Sequence, residues 1–348
     1  MYDAITAQPQ AYADTVQRLR PQIEQIAPRL AQAKRLFLLG IGTSSHAAQI
    51  GYHLFRYYGV TVPTYFLHSF DFALYGPALS PDDAVIMVSH RGAKSYGLAA
   101  IQRAREAGAY TVLITGQGEP ESVHYADGVL KTTLQDPSSA HTISYIGSQA
   151  ALACLAESLS TQQRKPRTFL ATELPDLLRA SLQTEPQVKE LAATCLERRR
   201  IWLTGGGPSG ITAQEVALKI KETSYLQAEG MPIEVLLHGP LQCVEAEDIF
   251  VLIAPAGPAQ ERVGELAGMI QDIGAPYLVV DDGTAGSLAL QAAGVINVPA
   301  VPEPFTALTC LLPLQLLAYH QALLRGTNPD GFRLEDPRFA SAFKRIQL

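Results

Sequence analysis

Two stretches decide the fold: Arg35-Leu-Phe-Leu-Leu-Gly40-Ile-Gly42 and, 165 positions later, Arg200-Ile-Trp-Leu-Thr-Gly205-Gly-Gly207. Each is a basic residue, a short apolar run and a glycine-rich turn. At the same offset Ser44 meets Ser209, Ala48 meets Ala213 and Gln49 meets Gln214. Val85-Ile-Met-Val-Ser89 falls on Phe250-Val-Leu-Ile-Ala254, and Leu113-Ile114 on Leu278-Val279. One register held across three elements implies two copies of one fold; a solenoid would repeat over a much shorter period.

Around these anchors, short apolar β-rich runs alternate with helical segments. The first half offers strands at Leu36–Leu39, Thr64–Leu67, Val85–Val88, Thr111–Thr115 and Val129–Thr133, with helices at Ser45–Tyr58 and Tyr96–Ala107. The second half offers strands at Ile201–Thr204, Phe250–Ala254, Tyr277–Asp281 and Val295–Val298. Strands that are apolar throughout and separated by helices predict a mainly parallel sheet covered on both faces. The expected fold is therefore α/β, with two tandem three-layer α/β/α domains. The boundaries read as 1–165 for the first domain, 166–199 for a helical connector holding Pro166, Pro175 and Pro186, 200–330 for the second, and 331–348 for a polar tail.

With 348 residues, 47% hydrophobic and 17% charged, the chain can bury two cores. A net charge of −6 argues against nucleic acid or an anionic membrane as partner. Cys154, Cys195, Cys243 and Cys310 lie far apart and read as reduced core thiols, and the eight histidines show no metal-ligand spacing. No cofactor is implied. No secretory leader is evident, and the apolar stretch Leu308–Leu324, broken by Pro313, Gln315, His320 and Gln321, reads as a buried helix. A cytoplasmic location is expected.

In an open parallel sheet, ligands sit at the carboxyl ends of the strands. After the first strand, Gly42, Thr43 and Ser44 open a helix, which suits either an anion cradle or a tight turn with capping hydroxyls. The spacing is not that of a dinucleotide fingerprint, because position 45 is serine. After the third strand comes Ser89-His90-Arg91-Gly-Ala-Lys94. Two cations beside a helix N-terminus oppose the helix dipole unless an anion is present or both extend to solvent. Thr142 and Ser144 precede a long helix and suit either capping or ligand contact. The second copy's later loop, Ala254-Pro-Ala-Gly257-Pro258, has neither hydroxyls nor cations, which points to phosphate in the first half and chemistry in the second.

Glu215, Lys219 and Glu222 share one face of the helix after Gly210, beside apolar Val216 and Ile220. The run Glu215-Val-Ala-Leu-Lys-Ile-Lys-Glu222-Thr-Ser-Tyr225, then Ala228-Glu229 and His238-Gly-Pro-Leu241, resembles the double-SIS-domain sugar-phosphate isomerase family. That family includes the isomerase domain of glucosamine-fructose-6-phosphate synthase and related amino-sugar-phosphate deaminases and deglycases. Pro313–His320 and Gly326–Asp330 share the resemblance, which covers nearly the whole chain.

The resemblance implies an aldose/ketose isomerase or deaminase acting on a sugar phosphate, with two SIS domains. Glu222 matches the base that moves a proton between C1 and C2, and Lys219 a lysine of the same network. His238 matches a histidine linked to ring opening and supplied by the neighbouring subunit, which implies a homodimer with a composite site. Lys344 matches a tail lysine that attacks the ketose carbonyl. Ser44, Ser89 and Thr142 fall where the family binds phosphate and sugar hydroxyls. Two departures stand out. The family's Ser-Gln-Ser-Gly-Glu-Thr loop reads Ser89-His-Arg-Gly-Ala-Lys94 here, and no glutaminase domain with an N-terminal cysteine precedes Met1-Tyr2, so ammonia from glutamine would need a separate partner. The altered loop also suits a non-catalytic sugar-phosphate sensor.

Overall fold

The computed structural model describes residues 1–92, 95–162 and 164–345. The chain divides into two compact units, each built on one five-stranded parallel sheet.

The first unit comprises described residues of 7–137, 141–175 and 333–345. Its strands are β1 (Arg35–Gly40), β2 (Thr64–His68), β3 (Asp83–Val88), β4 (Tyr110–Thr115) and β5 (Gly128–Lys131), in the order β2-β1-β3-β4-β5. β3 is buried at every position, as a central strand covered on both faces must be. One covering helix, Ile143–Leu159, is mostly apolar with no distinct polar face and is almost wholly buried. It packs against Gln8–Ala31, a 24-residue helix in a region where the sequence suggests no element. That helix buries Tyr12, Val16, Leu19, Ile23, Ile26 and Leu30, spaced alternately four and three residues apart, while Pro21 and Pro28 fall on its exposed face. The two prolines mask a helix whose stability comes from packing rather than propensity. The polar tail also holds a short helix, Pro337–Phe343, capped by the Asp336 carboxylate accepting from the Arg338 N–H at 3.0 Å.

The second unit comprises 1–6, 138–140 and 176–332. Its strands are β6 (Ile201–Gly205), β7 (Ala228–Pro232), β8 (Ile249–Ile253), β9 (Tyr277–Asp281) and β10 (Gly294–Asn297), in the order β10-β9-β8-β6-β7. Read from β7, this repeats the first sheet's order strand for strand. β7, Ala-Glu-Gly-Met-Pro, carries no sequence signal for a strand. It exists because the helix Pro208–Ser224 lies directly on it: a Cβ at Gly230 would sit 2.1 Å from the Ala213 carbonyl oxygen. The apolar segment expected as a buried helix forms Glu303–Thr309 and Leu311–Arg325. By length and composition Glu303–Arg325 is long enough to cross a membrane, but 83% of its apolar window is buried inside the fold. Of the four free cysteines Cys243 is exposed, not a core thiol; the other three are buried.

The duplication also preserves a clamp at the amino ends of the central strands, a buried aspartate held by a partly exposed arginine. Arg35 grips Asp83 through two bonds of 2.8 and 2.7 Å and reaches the Ala78 carbonyl; Arg199 grips Asp248 through two of 2.8 Å and reaches the Cys243 carbonyl. Sequence register pairs Arg35 with Arg200, yet it is Arg199 that fills the role, while Arg200 lies over the Trp202 ring. The Arg35 guanidinium is the main cause that holds the Asp83 carboxyl below the usual carboxylate range, against the pull of burial. At Asp248 burial acts upward, but Arg199, the Trp202 indole N–H and the Glu245 N–H outweigh it and the result is again lowered.

Candidate functional site

In a sheet of this order the direction of strand succession reverses between β1 and β3, and again between β6 and β8, so a crevice opens beyond the carboxyl ends of each pair. The crevice of the first unit receives the loops read from the sequence. Gly40 is obligatory there, since a Cβ would stand 2.2 Å from the Ser44 carbonyl oxygen, and Gly42 takes φ of 57° to start the helix Thr43–Tyr57. Thr43 and Ser44 are half-buried at that helix N-terminus. Across the crevice Ser89 follows β3, its N–H bound to the Ile114 carbonyl at 2.9 Å, and its side chain is almost fully buried. Arg91 is exposed, with no carboxylate partner among the described residues. Lys94 lies outside the described residues.

His90 is 6% exposed. Its ring lies over Gly116, where a Cβ would come within 2.5 Å of Cε1, and its edge faces His141 at 5.9 Å between centroids. Neither ring nitrogen finds a hydrogen bond of good geometry among the described residues. Burial pushes its pKa down to about 4, Arg91 assists, and Asp136 and the Leu134 backbone oppose. The ring is therefore neutral at pH 7.

Thr142 and Ser144 stand at the start of Ile143–Leu159, where Asp136 organises them. Its Oδ2 accepts from the Thr142 N–H at 2.7 Å and from the Ser144 N–H and hydroxyl at 3.3 Å each. Ser144 Oγ also lies 3.2 Å from His141 Nδ1. Asp136 thus acts as an anion on the helix N-terminus. Thr142 Oγ1 and Asp136 Oδ1 are buried with no hydrogen-bond partner among the described residues. A buried, unpaired oxygen costs about 1–3 kcal/mol, so such atoms mark a place where water or a ligand belongs. Asp136 was missed from sequence because Gln135-Asp-Pro-Ser138 reads as an ordinary turn; its signal is the hydroxyl pair six and eight residues on.

The crevice of the second unit differs in chemistry. It holds a niche of about 10 Å3, room for about one water, walled by Ala254, Pro255 and Ala256. Gly206 packs so closely on Ala259 that a Cβ there would fall 2.1 Å from the alanine methyl. The ionisable group lining it is Glu303, held above the usual carboxylate range by burial. No cation lines this pocket, so it opposes an anion.

The charged face of the helix Pro208–Ser224 is buried. Glu215 and Lys219 have no exposed side-chain surface, and Glu222 is 20% exposed. Lys219 Nζ donates to Glu222 Oε2 at 2.6 Å and lies 3.5 Å from Glu215 Oε1. Burial opposes the lysine's charge, but the two carboxylates outweigh it and hold the ammonium above the usual lysine value. Tyr225, which ends this helix at φ of 58°, is the one non-glycine residue with positive φ among the described residues. His238 is not part of the set. It is 77% exposed, in the turn after the short helix Ile233–Leu237, with Nε2 3.2 Å from Glu234 Oε2. Lys344 is exposed at the end of Pro337–Phe343 and belongs to the first unit, whereas Glu222 belongs to the second.

The SIS domain profile matches residues 29–158 and again 196–325, one match on each sheet. The chain belongs to the SIS-domain family. A glutamine–fructose-6-phosphate aminotransferase (isomerizing) of Thermococcus kodakarensis is 30% identical over 343 residues, covering 95% of this chain and 56% of that protein, so the chain spans about half the length of such relatives. The C-terminal domain of glucosamine-fructose-6-phosphate aminotransferase from Francisella tularensis superposes with a TM-score of 0.86 at 19% identity, covering 95% of this chain and 97% of that one. Tagatose-6-phosphate ketose/aldose isomerase of Escherichia coli gives 0.81 at 21%, covering 94% and 93%. At these identities the structural likenesses are ones of fold.

Proposed function

We propose that this SIS-domain protein is an enzyme that moves a proton between C1 and C2 of an open-chain sugar phosphate or amino-sugar phosphate, as an isomerase or a deaminase. The observation that carries the reading is the Glu215–Lys219–Glu222 set. Burying three charged groups costs several kcal/mol per ion. A helix that needed only to pack would carry apolar residues at those positions. The arrangement leaves one carboxylate, Glu222, partly open and fixed in direction by the fully buried Lys219.

In this reading Glu222 takes the C1 proton of the ketose. The C–H electron pair becomes the C1–C2 double bond of an enediol as the C2 carbonyl oxygen gains a proton, and return of a proton to C2, as the O1 hydroxyl gives up its proton and C1=O forms, gives the aldose. Within the first unit, Gly42, Thr43, Ser44 and Ser89 form the candidate phosphate-binding set, with Arg91 and Lys94 as its cations and Thr142 and Ser144 as candidate hydroxyl contacts. The exposed His238 turn completes the site of a second subunit in a homodimer, and Lys344 is the amine for carbonyl attack. The 30% identity to an isomerizing aminotransferase across nearly the whole chain supports the same chemistry.

Proton exchange at C1 and C2, followed by NMR in deuterated water with fructose-6-phosphate, glucosamine-6-phosphate, tagatose-6-phosphate and a fructosamine-6-phosphate, tests it. Exchange with one of these is expected, lost by at least about a hundredfold in Glu222→Gln. Mixing Glu222→Gln with His238→Ala subunits should restore part of the exchange. Tight binding with no exchange would refute the enzymatic reading and favour the sensor, which the substituted Ser89–Lys94 loop supports.

A further inference from the structure

The helices Thr43–Tyr57 and Ile143–Leu159 present their N-termini to the first unit's crevice. Their other ends, more than 20 Å away at about 1.5 Å per residue, border a second cavity of about 300 Å3, at the lower end of the usual range for a small-molecule site. Tyr58, Glu157, Ser160, Arg164, Lys165 and Arg167 line it.

Two features set this cavity apart. The first is charge. Among the described residues Arg164 and Lys165 have only aromatic partners, the Tyr57 ring at 5.9 Å and the Phe169 ring at 5.1 Å. Arg167 pairs with Glu24 at 3.1 Å, both well exposed, so that pair is weak. The rim is net positive on a chain of charge −6. The second is an incomplete floor. Arg20 holds Glu157 Oε2 at 3.0 Å, but Glu157 Oε1 and Arg20 Nε are buried without a hydrogen-bond partner among the described residues. The Glu157 side chain is 13% exposed, and burial keeps its carboxyl above the usual range despite Arg20 and Arg167. Cations at the ends of helices also complement the helix dipoles. That role accounts for the rim but leaves the buried acceptor on the floor unexplained.

We infer that this cavity is a second ligand site, taking an organic phosphate that carries free hydroxyls: its phosphate lies between Arg164, Lys165 and Arg167, and a hydroxyl donates to the Glu157 carboxylate. Guanidinium forks fit phosphate oxygens two at a time. The concave floor and the negative charge of the whole chain disfavour an extended polyanion. The carboxylate disfavours a bare anion.

The test uses the full chain with two probes, inorganic pyrophosphate and fructose 1,6-bisphosphate, read by calorimetry and by hydrogen exchange with mass spectrometry. Protection of the 157–168 peptide is expected with both probes, with the sugar bisphosphate binding more tightly. Arg164→Ala with Lys165→Ala should weaken binding on the order of tenfold or more, since each lost charge-assisted contact alone is worth that much. Both side chains are accessible, so an unchanged melting temperature confirms that the variant folds. Ser44→Ala with Ser89→Ala, which alters the crevice at the other helix ends, should leave the 157–168 protection intact. No protection there with either probe, or protection that survives the double substitution, overturns the site. Equal affinity for the two probes overturns the hydroxyl contact to Glu157.

Discussion

Lys219→Met removes a charge and keeps roughly the same volume in a place with no exposed surface. The ammonium sits 2.6 Å from one carboxylate and 3.5 Å from another. Without it Glu215, itself fully buried, has lost its cation, and Glu222 loses the group that orients it. Removing one partner of a buried ion pair costs about 3–5 kcal/mol, because the remaining charge is uncompensated. Each kcal/mol lowers the melting temperature of a unit this size by about 2–4 °C, so a fall on the order of 10 °C is expected. A second variant separates a lost charge pairing from lost packing. Adding Glu215→Leu removes the carboxylate that lay 3.5 Å from the missing ammonium, and the double variant should recover part of the deficit. Calorimetric melts of wild type and the three variants give the cycle, and proton exchange on the same samples gives the functional readout. Recovered stability with exchange still absent would mean that the lysine serves the base rather than the fold. A Lys219→Met melt equal to wild type, or a double variant no better than the single, would refute this account.

The two clamps predict acid sensitivity. Asp83 and Asp248 have folded pKa values below the usual carboxylate value of about 3.9, so their contribution is complete above that pH and lost as pH falls through the folded values. Asp83→Asn and Asp248→Asn should each cost about 2–3 kcal/mol at pH 7, less than a fully buried pair because the arginines are about a third exposed, and each should flatten the stability profile below pH 4, as denaturant titrations would show. His90 predicts a second slope. The unfolded chain takes up its proton near pH 6.5 and the folded chain near 4, so stability rises with pH between the two, by at most about 1.4 kcal/mol per unit. His90→Gln should remove that slope in guanidinium titrations from pH 4.5 to 7, and an unchanged slope would show that the ring is not held neutral.

Much of the architecture was legible in the sequence because apolar strands in a doubly covered sheet admit no polar residue. The run Val85–Val88 and its copy at Phe250–Ile253 therefore announce themselves and fix the repeat. The glycine turns at Gly42 and Gly207 were legible for a similar reason: both take left-handed φ, which glycine adopts without cost. The charged helix Pro208–Ser224 was legible as a pattern of spaced charges. Its burial was not, because the same spacing serves a solvated salt-bridge ladder equally well. Only the packing of Leu311–Arg325 and β7 around it shows that Lys219 is sealed from water. Tertiary contact alone likewise decided β7, which pairs with β6 despite a sequence poor in strand formers, the helix Gln8–Ala31 with its outward prolines, and the choice of Arg199 over Arg200. Asp136 and the neutral His90 belong to the same class. Sequence fixes which groups are present and their spacing, but the pKa of an imidazole and the worth of a carboxylate depend on how much water the rest of the chain leaves them.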